Sequence, residues 1–332
     1  MEQSAALDKK ERIAQNRAFR KPAAIVFFGI CLYLVLNQAF QYIYGAFIMS
    51  RAGAGAAAQG PADMGNAAWA AVAAVCTAAL LAWFYFGLQK NRALVFPGQT
   101  EARAVFGESG KMRPIVLVLA VCLFLGLQFL FVLLDTGFEA FFRLFGLTLS
   151  GSAAMETDYS LSLSLILYAA VVGPFCEELV FRGFVMQGLK QYGKLFAIVT
   201  SAFCFALMHG DFQQTLFTFF AGLIFGYVAM EYSIVWSFLL HVFNNYVLGD
   251  LFAHFMGSLS ETAQDWVAIG VMALTLGFCA LWTVRHREAI GTYRQTFRTP
   301  KGTYPRTWCS LWLILFVLCE LWSILHSVRP LP

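Results

Sequence analysis

Long apolar runs alternate with short polar ones along the whole chain. Nine runs read as membrane-crossing helices, near 23–49, 66–88, 114–136, 160–189, 195–209, 213–230, 234–253, 265–284 and 308–327. A helix needs about 20 mostly apolar residues to cross the hydrocarbon core. The fourth run is long and interrupted by Gly173-Pro174, and the fifth is short. Between runs, Phe138, Phe141, Phe142 and Phe145 recur at helical spacing, with Glu139 and Arg143 opposite. That pattern predicts a separate helix over about 138–149, lying in the membrane interface. The fold class expected is all-α: a polytopic membrane helix bundle of about nine transmembrane helices.

Charge placement gives the bundle a direction. With the N-terminus inside, the inner segments are 1–22, 89–113, 190–194, 231–233 and 285–307, and they hold nineteen of the 23 Lys and Arg residues. Outer segments hold Arg51, Arg143 and Arg329, and Arg182 lies inside a run. This asymmetry predicts a cytoplasmic N-terminus. The first run is too long for a signal-peptide core and reads as an uncleaved anchor. The chain then divides into a basic cytoplasmic segment 1–22, N-terminal transmembrane helices in 23–159, a central core 160–253, and C-terminal transmembrane helices in 254–332 with a basic cytoplasmic loop at 285–307.

Composition agrees. The 332 residues are 59% hydrophobic and only 13% charged, with a mean hydropathy of +0.66. A soluble domain carries about 25% charged residues, so an ordinary soluble enzyme, a disordered chain and a secreted disulfide scaffold are excluded. The eight cysteines lie in or beside apolar runs without a CxxC and read as small buried hydrophobes. Lys and Arg form no stripe, so nothing points to nucleic acid. The partners expected are the bilayer and a membrane-associated substrate.

Ionisable residues within spans are costly and usually functional. Here they concentrate in Gly173-Pro174-Phe175-Cys176-Glu177-Glu178-Leu179-Val180-Phe181-Arg182-Gly183. Glu178 and Arg182 are four apart and share a helix face, acid first, which is the favourable order. Glu177 is turned about 100° from Glu178, so one carboxylate can be neutralised by Arg182 while the other points elsewhere. Pro174 predicts a kink just above them. In the fifth run Phe205 and His209 are four apart; in the seventh, His241 and Asn245 are four apart, with Asn244 as a competitor. Counted from Gly193, Glu177 and His209 each lie 16 residues away, about 24 Å of helix. His241 fits less well, at about 10 residues, roughly 15 Å, beyond Glu231. A buried carboxylate beside a histidine can take a proton from water, and a second histidine with an amide can stabilise an oxyanion. Such a cluster supplies what peptide hydrolysis needs.

These residues resemble a family. Glu177-Glu178-x-x-x-Arg182, Phe205-x-x-x-His209 and His241-x-x-x-Asn245 look like the three motifs of the CAAX-processing and bacteriocin-processing (CPBP, or Abi) intramembrane peptidases, and Gly222-x-x-x-Gly226 also resembles its pattern. The resemblance covers about 160–250. It implies a metal-independent glutamate peptidase without a cofactor. In it Glu177 and His209 activate water, and His241 and Asn245 stabilise the oxyanion. Glu178 and Arg182 are the supporting pair, and Phe205 positions His209. The family's name points to prenylated or peptide-signal substrates. Other readings of the same residues are a non-catalytic immunity or scaffold protein keeping this core, a zinc peptidase using Glu177, His209 and His241, and an ion-coupled transporter. The membrane expected is bacterial and cytoplasmic, with endoplasmic reticulum as the alternative.

Overall fold

Helix α1, Glu2–Ala56, runs unbroken through Pro22. The computed structural model describes residues 2–56, 94–97, 110–149 and 167–331, with Val75 and Thr77 as isolated positions. Pro22 disturbs the helical ladder, and a hydroxyl from elsewhere repairs it. Tyr192 Oη donates to Phe19 O at 2.6 Å and accepts the N–H of Ala23 at 3.2 Å. An inserted side chain of this kind is one way a helix tolerates proline. It also pins α1 to the turn that follows the central helix.

Helix α2, Pro114–Arg143, starts with proline in its first turn, where a missing N–H costs nothing. The expected interfacial helix over 138–149 takes another form. Phe138, Phe141, Phe142 and Arg143 are the last turns of α2 itself. The rings of Phe138 and Phe142 both pack edge-on against Phe212, at 5.4 Å. These rings therefore pack on protein as part of a continuous α2. After Gly146, at φ +72°, the chain enters a two-residue strand, β1, Leu147–Thr148. Glu139 fixes that reversal by accepting from Arg143 Nε, Thr148 Oγ1 and Leu149 N at 2.7–2.8 Å.

The centre is built from four further elements. Helix α3 spans 168–192, α4 is Lys194–Leu207, α5 is Phe212–Glu231 and α6 spans 234–257. Helices α4 and α5 form a hairpin whose backbones approach closely. A Cβ at Gly222 would lie 3.2 Å from Ala202 Cα, and one at Gly226 would lie 3.1 Å from Ile198 Cγ2. Small residues at such crossings let helices pack tightly where lipid supplies no hydrophobic drive. The core they enclose is aromatic, with Phe181, Phe184, Phe196, Phe205 and Phe225 all buried.

The remaining helices are α7, Glu261–Arg285, α8, Arg287–Thr296, α9, Thr303–Trp308, and α10, Leu311–Ser327, followed by strand β2, Arg329–Pro330, antiparallel to β1. Helices α1 and α10 pack on the central group, while α2 and α7 pair beside it. The outward faces of α7 and α10 are strongly apolar: Leu274, Leu281, Trp322 and Leu325 are 66–75% exposed. Such faces suit a lipid solvent.

Among the described residues, four helices are long and apolar enough to cross a membrane: Ile13–Ala39 within α1, α2, α5 and α7. Helices α4 and α10 are shorter, at 14 and 17 residues. The run at 66–88 lies outside the described residues, apart from Val75 and Thr77. The chain is thus helical, with the hydropathy of an integral membrane protein.

Candidate active site

Three stretches near the charged residues are wound more widely than an α-helix: Tyr168–Val172, Glu178–Met186 and Phe243–Leu251. Such π segments are rare and favour functional sites. Local chemistry favours them here. Pro174 offers no N–H, and the N–H of Gly173 reaches back five residues to Tyr168 O. Pro174 therefore leaves the helix continuous, with a wide turn just before it. Further on, Ser201 Oγ donates to Phe181 O at 2.7 Å and occupies a carbonyl of the helix.

The wide winding also addresses the mismatch in depth between Glu177 and His241. A helix with more residues per turn climbs less per residue. The stretch from Glu178 to Met186 is therefore shorter than the α-helical count supposes and takes up part of that difference, and the Glu177 and His241 side chains meet.

Glu178 is the anchor of the cluster. Its side chain is 1% exposed, forms an ion pair with Arg182 and takes hydrogen bonds from His241 and Ser237. Arg182 NH1 lies 3.0 Å from Oε1, His241 Nδ1 lies 3.0 Å from the same oxygen, and Ser237 Oγ donates to Oε2 at 2.6 Å. A buried ion pair is tolerated only when further hydrogen bonds satisfy it. The guanidinium of Arg182 is fully buried and lies 4.2 Å over the Phe205 ring and 5.3 Å from that of Phe225. Its NH2 reaches Gly222 O at 3.4 Å.

His241 sits between the two glutamates. Nδ1 faces Glu178, and Nε2 lies 3.6 Å from Glu177 Oε2. Since Glu178 can only accept, Nδ1 carries the proton. The imidazole is stacked on Phe225, with centroids 4.4 Å apart, and meets Phe205 edge-on at 5.8 Å. Glu177 keeps 25% of its side chain exposed. The separation of 3.6 Å is too long for a direct hydrogen bond and suits groups that share a water or a substrate atom.

His209 stands in the turn after α4. Its Nδ1 is 2.9 Å from Phe205 O, so that nitrogen donates and Nε2 keeps its lone pair. The Phe205 ring, 4.9 Å from the His209 ring, lies between the two histidines. A helix of 14 residues is only about 21 Å long. Its polar turn therefore falls short of a full crossing and is covered by protein: Ser327 Oγ accepts the N–H of Phe212, and Ser323 lies against Gly210.

Glu177, Glu178, Arg182, Phe205 and His241 thus converge, and His209 adjoins them through Phe205. Asn245 is bonded elsewhere: its Nδ2 donates to Ala169 O at 3.2 Å, and its Oδ1 accepts from Asn244 Nδ2 at 3.1 Å. Among the described residues, no three His, Cys, Asp or Glu side chains form a group that could hold a metal ion. Two contributors were missing from the sequence reading. Ser237, four before His241, shares its face and was within reach of the spacing argument. Phe225 carries no such signal, and only the packing of α5 against α6 brings it beneath His241.

Residues 159–247 match the model of a family described as type II CAAX prenyl endopeptidase Rce1-like. That segment contains all three motifs, in agreement with the resemblance to the CAAX-processing peptidases. No curated protein and no solved structure compared with the chain matches it.

Proposed function

We propose that the chain is an intramembrane peptidase of the CAAX-processing type, acting on a membrane-associated peptide or protein. The observation that carries this reading is the pairing of a partly exposed Glu177 with a histidine whose other nitrogen is held by a fully neutralised Glu178–Arg182 pair. One carboxylate is structural and the other is left for chemistry.

Glu177 takes a proton from water while His209 Nε2 accepts the second hydrogen bond and orients it. The hydroxide oxygen adds to the carbonyl carbon of the scissile bond. In its protonated form His241 donates from Nε2 to the oxyanion. At that stage Glu177 holds the proton from water, Glu178 and the oxyanion are negative, Arg182 and His241 are positive, and the cluster is electroneutral, which suits a low-dielectric site. Collapse of the intermediate breaks the C–N bond, and the proton held by Glu177 goes to the leaving amine. Asn245 supplies a second oxyanion donor by rotating away from Ala169 O.

The substrate class proposed is a lipid-anchored or otherwise membrane-bound peptide, since the site sits among helices and the matched family is described by its prenyl substrates. The proposed topology has nine crossings and a cytoplasmic N-terminus. The test compares membrane proteomes of cells carrying wild-type protein and Glu177→Ala. Cleavage products should vanish with Glu177→Ala while the variant inserts and folds. Unchanged products, with or without a chelator, would remove Glu177 from the mechanism.

A further inference from the structure

A hydroxyl close to Glu177 has no part in the peptidase chemistry. Tyr168 opens the wide turn Tyr168–Val172 and is half-buried, and among the described residues its Oη makes no hydrogen bond. Its ring lies along α3. A Cβ at Gly173 would stand 4.0 Å from Tyr168 Cε2, the carbon next to the one that bears the hydroxyl. Gly173 has no side chain to displace the phenol, and the wide turn stacks Tyr168 over it. Gly173 and Glu177 bound one α-helical segment and share a face, about 6 Å apart along the axis. The phenol therefore stands on the face that carries Glu177 one turn on, within Coulombic reach of its carboxylate.

Helix α6 is the facing wall. It meets α3 at two levels: His241 Nε2 lies 3.6 Å from Glu177 Oε2, and Asn245 Nδ2 donates to Ala169 O at 3.2 Å. Tyr168 adjoins the Asn245 contact, and its ring leans from there toward the Glu177 contact. A buried hydroxyl without a partner is costly. A peptide drawn to membrane depth has the complementary need, since its backbone carbonyls lose water and require donors. One bond between them meets both. An extended peptide advances about 3.3 Å per residue, so the step from Gly173 to Glu177 matches about two residues of substrate.

We infer that Tyr168 is a substrate-binding residue whose hydroxyl donates to a backbone carbonyl of the bound peptide, about two residues from the scissile bond, and so sets the register of the peptide between α3 and α6. The inference rests on the peptidase reading for the kind of ligand. The group recognised is a neutral amide carbonyl, common to every peptide, so Tyr168 fixes alignment and not side-chain preference.

The test measures binding and turnover apart, with a fluorescent farnesylated peptide carrying a C-terminal CAAX sequence. Anisotropy gives its affinity for full-length Glu177→Gln protein in proteoliposomes, and turnover is read with Glu177 intact. Tyr168→Phe should weaken binding and raise KM by about three- to tenfold, the worth of one neutral hydrogen bond, with kcat within about twofold of wild type. The melting temperature should stay unchanged, because the lost hydroxyl bonds no described residue. Single peptide bonds of the probe are then replaced by esters, whose carbonyls accept more weakly. One ester, about two residues from the cleaved bond, should weaken binding when Tyr168 is present and not in Tyr168→Phe. Ester losses that are the same in both proteins at every position would overturn the contact. Equal affinity and KM in Tyr168→Phe, with turnover still dependent on Glu177, would overturn it and leave the peptidase reading standing. A fall in kcat at unchanged KM would overturn it in favour of a role in the transition state. Tyr168-dependent binding without cleavage would support the contact and overturn the peptidase reading instead. No binding of the probe at all would overturn a contact with this class of peptide.

Discussion

Glu178 Oε1 and His241 Nδ1 are 3.0 Å apart, and this bond ties the first motif to the third across two helices. The same carboxylate balances the Arg182 charge and aims the His241 ring, so stability and chemistry share one side chain. The neighbouring glutamate, Glu177, has no such structural duty. Substitutions should separate the two roles.

Glu178→Ala should unfold the core more readily, by about 3–5 kcal/mol, because it leaves the buried Arg182 charge uncompensated. The check is thermal unfolding in detergent. A melting temperature equal to wild type would show that Arg182 finds another partner.

Glu177→Gln and His209→Gln should each leave the melting temperature unchanged. Each should lower turnover by about two to four orders of magnitude, the usual worth of a positioned base. A reporter peptide anchored in proteoliposomes gives the rate. Near wild-type turnover in either variant would show that water is activated elsewhere.

Ser237→Ala removes a donor from a buried carboxylate oxygen and should cost about 1–3 kcal/mol. It should also slow turnover more than it changes KM, because Ser237 helps fix Glu178 and hence His241. Ser237→Thr should restore part of both if the hydroxyl is what matters.

Tyr192→Phe should loosen α1 beside Pro22. The loss leaves Phe19 O and Ala23 N–H unpaired at a cost of about 1–3 kcal/mol. Hydrogen exchange at Ala23 should rise markedly while exchange in α5 stays slow. Equal protection at Ala23 in the variant would mean that the helix closes its own ladder there.

Gly222→Ala should be poorly tolerated. The added methyl would meet Ala202 Cα, Ala202 Cβ and Phe205 Cδ1, each at 3.2 Å. Forced overpacking typically costs about 1–3 kcal/mol, and displacement of Phe205 should also reduce turnover. A variant with wild-type stability and rate would show that α4 and α5 can separate freely.

Much of the site was legible because its residues announce themselves. Glu177, Glu178 and Arg182 stand in a run that should be apolar, and charge in lipid needs a reason. Their four-residue spacing survived the wide winding, since a helix of slightly more than four residues per turn keeps Glu178 and Arg182 on one face. Other features were hidden. The pairing of Glu177 with His241 rather than His209 depends on how far the 178–186 stretch climbs, and spacing measured in α-helical units misses it. Asn245 follows His241 into a wide segment, and its amide ends on Ala169 O. The 138–149 helix misled because its phenylalanines looked amphipathic, whereas Phe212 awaits two of them.

The sequence by itself determined the solvent, the helical class and the short list of chemical residues. Those follow from local quantities: apolar length, charge position and periodicity along one strand of chain. Only the tertiary structure decided which carboxylate is neutralised, which histidine lies between the glutamates and which aromatic rings frame Arg182. Those are contacts between helices. They depend on the crossing at Gly222 and Gly226, on the wide turns near Pro174 and after Val242, and on the depth at which α4 stops, none of which a single helix specifies.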